Sequence, residues 1–254
     1  MRNLLTRHAK AFLLAVQFLT TLPTPKNIKA DATEQALSLL WYPVVGLLIG
    51  LSLLFVCITL PLPFYLQAMV TVALWIALTG GLHLDGIADC ADAFVGGLGD
   101  REKTLHLLKD PLCGSMGVIA LIIIIALKAT ALAAVIQAEQ LIWLWSIPLV
   151  ARLSLLLLFL TTRYARVQGL GEVIAQNLFR GWAKCVLIST VIGLLLVLPL
   201  YLWVAFLLTL LAIFLLVRTT AKQRLGGFTG DVAGAQLELV EVGLLLALAS
   251  HSLG

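Results

Sequence analysis

The sequence predicts an all-α, polytopic membrane bundle of about seven transmembrane helices, preceded by an N-terminal amphipathic interfacial helix. Three observations lead there. Of the 254 residues, 61% are hydrophobic and 12% are charged, against roughly 45–50% and 25% in soluble domains. Mean hydropathy is +1.06. The apolar residues fall into runs of about twenty, the length that crosses a bilayer, separated by shorter polar stretches. Helices packing in lipid make one core, so residues 1–254 read as a single integral-membrane domain. Residues 1–36 hold the amphipathic helix and a linker, and residues 37–254 hold the bundle, with loops at 83–116, 161–184 and 218–231.

The first segment has Arg2, Arg7 and Lys10 ahead of a short apolar run, with no small-x-small cleavage site after it. At about 100° per residue, Asn3, Arg7, Lys10, Gln17 and Thr21 share a face, and Leu4, Phe12, Ala15, Val16 and Leu19 lie elsewhere. That pattern predicts a helix lying in the membrane interface. A polar linker follows, with Pro25, Lys26 and Lys29. The first span covers residues 37–60 and opens on Trp41 and Tyr42. Within it, Gly46 and Gly50 form a G-x-x-x-G face that admits a close neighbour.

The second span, residues 64–82, leads into the longest polar stretch. Spans three and four, 117–137 and 141–160, are joined tightly at 138–140. Spans five and six, 183–198 and 201–217, meet at Pro199 and Leu200, and the seventh covers 232–250. Cys57, Cys90, Cys113 and Cys185 form no C-x-x-C pair and read as buried small apolar residues.

Of the seventeen Lys and Arg residues, five precede the first span, and three, four and three occupy the alternate long loops. Lys128 and Arg152 lie inside spans. The positive-inside rule then places the N-terminus and the long loops in the cytoplasm and the C-terminus outside. The same distribution explains the net charge of +4 without nucleic acid as a partner.

The chemistry concentrates after the second span. Asp85, Asp89 and Asp92 are spaced i, i+4, i+7 and share one helical face. Carboxylates held that close repel each other, and a divalent cation keeps them ionised. Oxygen ligands without an imidazole pair suit magnesium, manganese or calcium better than zinc. Magnesium uses one or two carboxylates plus substrate phosphates, so phosphoryl or phosphodiester chemistry follows. The plainer alternative is a set of solvated or helix-N-terminal acids.

Asp231, Glu238 and Glu241 make a second acidic row, and acids inside a span normally face the bundle interior. Arg152 is placed either to hold a phosphate bidentately or to pair with Glu238 or Glu241, and the pattern leaves both open. His83 is a candidate base or phosphate contact, or a structural residue. The loop 226–231 offers Gly230 and its neighbours as backbone donors to a phosphate. An ion-coupled membrane transporter using Glu238, Glu241, Lys128 and Arg152 is the competing class.

Five blocks carry a resemblance over nearly the whole chain. They are Gly80-Gly81-Leu82-His83-Leu84-Asp85-Gly86-Ile87-Ala88-Asp89-x-x-Asp92, Lys109-Asp110-x-x-x-Gly114-x-x-Gly117 and Gly227-Phe228-Thr229-Gly230-Asp231-x-x-Gly234-Ala235-x-x-Glu238, with Tyr42 to Gly50 and Arg163 to Gly171. Together they resemble the bacterial cobalamin synthase (adenosylcobinamide-GDP ribazoletransferase) family. The resemblance implies joining of adenosylcobinamide-GDP to α-ribazole or its 5′-phosphate, release of GMP, and Mg²⁺ as cofactor at the bacterial inner membrane. The residue reading joined to that reaction makes Asp85, Asp89 and Asp92 the expected metal ligands and Asp92, Asp231 and His83 the candidate catalytic groups. Lys109, Asp110, Gly114, Arg152, Arg166, Gly230, Asp231 and Glu238 become substrate contacts. It leaves room for a homo-oligomer or a complex with other cobalamin-assembly enzymes. Asp85-Gly86-x-Ala88 is also similar to the opening of the CDP-alcohol phosphotransferase motif. Asp89 stands where that motif has Arg, and its downstream half is missing, so only the chemical logic transfers.

Overall fold

Helix α1, Arg2–Leu19, opens the chain in a computed structural model that describes residues 2–25, 28–166 and 169–250. Lys26 of the expected linker and the side chain of Asn3 lie outside the described residues. The amphipathic pattern of α1 buries Ala11, Ala15, Val16 and Leu19 against protein while Leu4 and Leu5 stay exposed. Lys10 bonds Glu34 at 3.2 Å and Arg7 approaches Asp31 at 3.7 Å. These two acids form the capping box of α2, Ala32–Ser38, which satisfies the orphan N–H groups of its first turn. The N-terminal helix is thus docked on the bundle as well as amphipathic.

A single 3-10 turn, Leu39–Trp41, carries α2 into α3, Tyr42–Thr59. Helix α4, Phe64–Thr79, follows, and then α5, Leu82–Gly96, at 90° to it. The corner is made by Gly80 and Gly81, whose φ angles of +66° and +68° lie where a Cβ is costly. Helix α5 therefore runs across the end of the bundle, outside the spans. The expected loop 83–116 thus contains a helix carrying the acids and a second short one, α6, Arg101–Leu107, capped by Asp100.

Helix α7, Ser115–Gln137, is followed closely by α8, Ser146–Thr161, but instead of a packed hairpin α7 lies chiefly against α4, α5 and α12, and α8 against α3 and α12. The short α9, Leu170–Gln176, lies within the polar stretch that follows. Helix α10, Arg180–Val197, α11, Leu200–Leu225, and α12, Gly230–Ser250, complete the chain. Among the described residues, six segments are long and apolar enough to cross a membrane, and the count reaches seven only if the bent pair of α4 and α5 is taken as one span. Helix α4 alone has 16 residues, about 24 Å at 1.5 Å per residue, somewhat under the hydrocarbon thickness. Because α11 continues to Leu225, the third polar loop shrinks to the few residues before α12.

The packing puts α12 at the centre. It contacts α5, α7, α8 and α11, and 78% of its spanning window is buried, against 72% for α8 and 11% for α10. The G-x-x-x-G face of α3 meets the start of α8, where a Cβ at Gly46 or Gly50 would overlap the backbone of Pro148 or Trp145. Cys57 and Cys90 are buried, but Cys113 and Cys185 are exposed, the first in the loop before α7 and the second on the outer face of α10.

Candidate active site

The acidic end of the bundle is organised by the crossing of α5 over the first turns of α12. Close approach there depends on two small residues. A Cβ on Gly86 would come 2.5 Å from the Asp231 carbonyl oxygen, and one on Gly234 would come 3.2 Å from the His83 Cα. The crossing turns Asp85, which is exposed, and the half-buried Asp89 and Asp231 toward a common region. Partial burial, then the charges of Asp85, Asp231 and Asp92, push the Asp89 carboxyl up to about 6, while Arg166 opposes the shift. A carboxylate raised by its own neighbours marks a site that attracts a cation.

Asp231 is held from several sides. Thr229 Oγ1 donates to its Oδ2 at 3.2 Å, and Arg166 Nη1 stands 3.6 Å from the same oxygen. Arg166 is placed by a short backbone splice between two loops. The Phe228 N–H donates to the Arg163 carbonyl at 3.0 Å, and the Ala165 N–H donates to the Phe228 carbonyl at 2.8 Å. The Tyr164 ring meets Phe228 edge-on with centroids 5.2 Å apart. Tyr164 also faces the Asp231 charge and the Gly230 backbone. Residue reading overlooked this aromatic joint, whose one signal was the Arg163-Tyr164-Ala165-Arg166 block.

Asp92 has a different setting from its two partners in spacing. Its Oδ2 accepts from the Gly114 N–H at 2.7 Å and its Oδ1 from the Gly117 N–H at 2.9 Å. It therefore satisfies orphan donors at the start of α7 and offsets that helix dipole. Asp92, expected as a metal ligand or base, is thereby tied through both oxygens to the start of α7. Gly114 serves that tie through its N–H. Asp110 shapes the same loop by accepting from the Leu112 N–H at 3.0 Å, and Lys109 is exposed beside it.

Three further expected site residues are buried. Lys128 Nζ lies 2.7 Å from Glu238 Oε2 and 2.6 Å from Glu241 Oε2, and Arg152 Nη1 pairs with Glu241 Oε1. The Lys128 ammonium also sits 4.3 Å over the Trp75 ring. Two basic and two acidic side chains form an ion cluster inside the bundle, in which Arg152 Nε and Nη2 have no hydrogen-bond partner among the described residues; Arg152 and Glu238, expected as substrate contacts, are buried there. His83 is 4% exposed with neither ring nitrogen hydrogen-bonded. Two residues apart on a helix means about 200° of rotation, so His83 faces α12 while Asp85 faces out.

Among the described residues, no three His, Cys, Asp or Glu side chains come together closely enough to cage a metal ion by themselves. The site fits a magnesium-type ion in the other way available to it. Asp85, Asp89 and Asp231 supply only hard oxygen donors, and Mg²⁺ commonly takes one or two carboxylates and fills its shell with substrate phosphate and water.

Comparison with known proteins identifies the family. A family model described as cobalamin-5-phosphate synthase matches residues 11–249. A protein of Stutzerimonas stutzeri (strain A1501) named adenosylcobinamide-GDP ribazoletransferase is 48% identical over 242 residues, covering 93% of this chain and 96% of the relative. Proteins of the same name from Pseudomonas syringae pv. syringae (strain B728a) and Ectopseudomonas mendocina (strain ymp) are 43% and 46% identical. They cover 94% and 93% of this chain and 98% and 97% of their own lengths. No solved structure matches the chain.

Proposed function

The chain belongs to the cobalamin-5-phosphate synthase family, and we propose that it is an adenosylcobinamide-GDP ribazoletransferase. It joins adenosylcobinamide-GDP to α-ribazole or its 5′-phosphate and releases GMP. The observation that supports this best is the meeting of Asp85, Asp89, Asp231 and Arg166 where α5 crosses the start of α12.

In the proposed reaction the ribose 3′-hydroxyl of the acceptor attacks the phosphorus attached to the corrinoid. A new P–O bond forms, the P–O bond to the GMP leaving group breaks, and the hydroxyl proton passes to a carboxylate. Asp231 is placed for that proton, because it adjoins the Tyr164 loop and Asp92 is already committed to backbone donors. The Arg166 guanidinium, half-exposed beside Asp231, supplies positive charge to phosphate oxygens. Asp85 and Asp89 would hold Mg²⁺ with the pyrophosphate, and that ion would supply charge neutralisation for the departing phosphate. Asp92 keeps α5 in register with α7 so that the first two carboxylates stay aligned.

The protein sits in the bacterial inner membrane with its N-terminus and catalytic end in the cytoplasm, as the positive-inside distribution of Lys and Arg supports. Incubation of the purified protein in lipid with both substrates and Mg²⁺ tests the reading. Formation of GMP with the ribazole-bearing corrinoid is expected; recovery of both substrates unchanged would overturn it.

A further inference from the structure

Next to the carboxylates lies a separate opening, a cleft of about 440 Å³ bounded by the end of α8, residues 161–164, α9 and the start of α10. Resting on the ribazoletransferase reading, we propose that this cleft seats the acceptor as a phosphorylated nucleoside. Arg163 and Arg180 hold its phosphate, and the Tyr164 side of the cleft lies nearest the carboxylates.

Size bounds the ligand. Pockets for small molecules run from about 300 to 1,000 Å³, and 440 Å³ is on the scale of a nucleotide. Charge selects the class of ligand. Arg163, Arg180 and the single carboxylate Glu172 are the charged residues among the cleft's lining. Glu172 already accepts from Gln176 Nε2 at 3.0 Å. Arg180 gives Nη1 to the Leu160 carbonyl at 3.1 Å, which fixes the guanidinium while leaving the rest of its fork for an anion. A third guanidinium braces the floor, where Arg218 donates Nε to Thr162 Oγ1 at 3.2 Å and Nη2 to the Thr161 carbonyl at 3.3 Å.

The aromatic wall is rigid as well. Tyr164 stacks near Phe159, with an interplanar angle of 9° and centroids 6.5 Å apart, and is braced edge-on by Phe228. Position completes the argument. Tyr164 lines the cleft and its hydroxyl lies close to Gly230, the residue before Asp231, so the cleft adjoins the group that accepts the proton.

The test is equilibrium binding to the full-length protein in lipid nanodiscs, which needs no turnover. α-Ribazole 5′-phosphate, α-ribazole and adenosylcobinamide-GDP are titrated separately. Arg163→Ala and Arg180→Ala are each expected to weaken the phosphorylated nucleoside by roughly tenfold, the usual scale for one charge-assisted contact. Binding of the unphosphorylated nucleoside and of adenosylcobinamide-GDP should stay within about twofold, and Arg163→Lys with Arg180→Lys should recover most of the loss. No measurable binding of the phosphorylated nucleoside, unchanged affinity in the double alanine variant, or equal weakening of all three ligands would each overturn the cleft assignment. Absence of GMP release from the wild type would overturn the enzyme reading instead, because the two results come from different measurements.

Discussion

Gly86 on α5 lies against the backbone of Asp231 on α12, so near that any side chain at 86 would meet the Asp231 carbonyl oxygen at 2.5 Å. This contact sets the spacing between the Asp85 and Asp89 carboxylates and Asp231. Replacing Gly86 by Val must push the two helices apart, at a cost of about 1–3 kcal/mol for overpacking. The displacement also separates the reacting groups, for which a shift near 1 Å costs about 100-fold in rate. GMP release by Gly86→Val should fall by about that factor while the protein still extracts as a folded monodisperse species. Retention of wild-type turnover would show that the crossing does not set the site.

Lys128 is expected to matter for stability rather than chemistry. Removing one member of a buried ion cluster leaves an uncompensated charge and costs about 3–5 kcal/mol. Lys128→Met should therefore lower the melting temperature in nanodiscs sharply. The double variant Lys128→Met with Glu238→Gln keeps the Arg152 to Glu241 pair neutral and should recover most of the loss. Equal destabilisation in the single and double variants would contradict the ion cluster.

Asp92 separates from Asp85 and Asp89 by its response to the cation. Asp92→Asn removes one acceptor from the start of α7, so turnover should drop with the Mg²⁺ concentration for half-maximal rate unchanged. Asp85→Asn and Asp89→Asn should raise that concentration several-fold, since each takes a negative charge from the platform. A titration of initial GMP release against Mg²⁺ for the three variants distinguishes the two roles.

A pH profile follows from Asp89, whose carboxyl is raised to about 6 by burial and by the neighbouring acids. A raised carboxyl pKa means the charge is present above about pH 6 and lost as pH falls through it. At limiting Mg²⁺, GMP release should fall on acidification through that region. At saturating Mg²⁺ the fall should move to lower pH, because cation and proton compete for the same carboxylate. A profile indifferent to Mg²⁺ would argue against Asp89 as part of a cation site.

Much of this arrangement is legible in the residues, and the limits have physical causes. Apolar runs of membrane length place α7, α10 and α12 within three residues, whereas α8 begins five residues later than its run and α11 continues eight residues past its run, to Leu225. Gly46 and Gly50 announce the close α3 to α8 contact, because only a hydrogen lets two backbones meet there. The spacing of Asp85 and Asp89 locates one helical face. Periodicity cannot choose partners across helices, and so Arg152 remained divided between phosphate and ion pair until the rotation of α8 against α12 brought it to Glu241. The pattern i, i+4, i+7 grouped Asp92 with its neighbours, yet whether its oxygens meet a cation or backbone depends on where the Gly114 loop folds back. The 90° corner was written in Gly80 and Gly81, but two adjacent glycines do not by themselves specify two left-handed residues.

The central claim is that Asp85, Asp89 and Asp231 act together on one phosphoryl group, and single-turnover GMP release tests it most directly. Wild type and the variants Asp85→Asn, Asp89→Asn and Asp231→Asn would be compared in nanodiscs with adenosylcobinamide-GDP, α-ribazole 5′-phosphate and saturating Mg²⁺. Each variant should lose about 100-fold or more in the rate of the chemical step, with a melting temperature close to that of the wild type. Full wild-type rates in any two of the three would contradict the account.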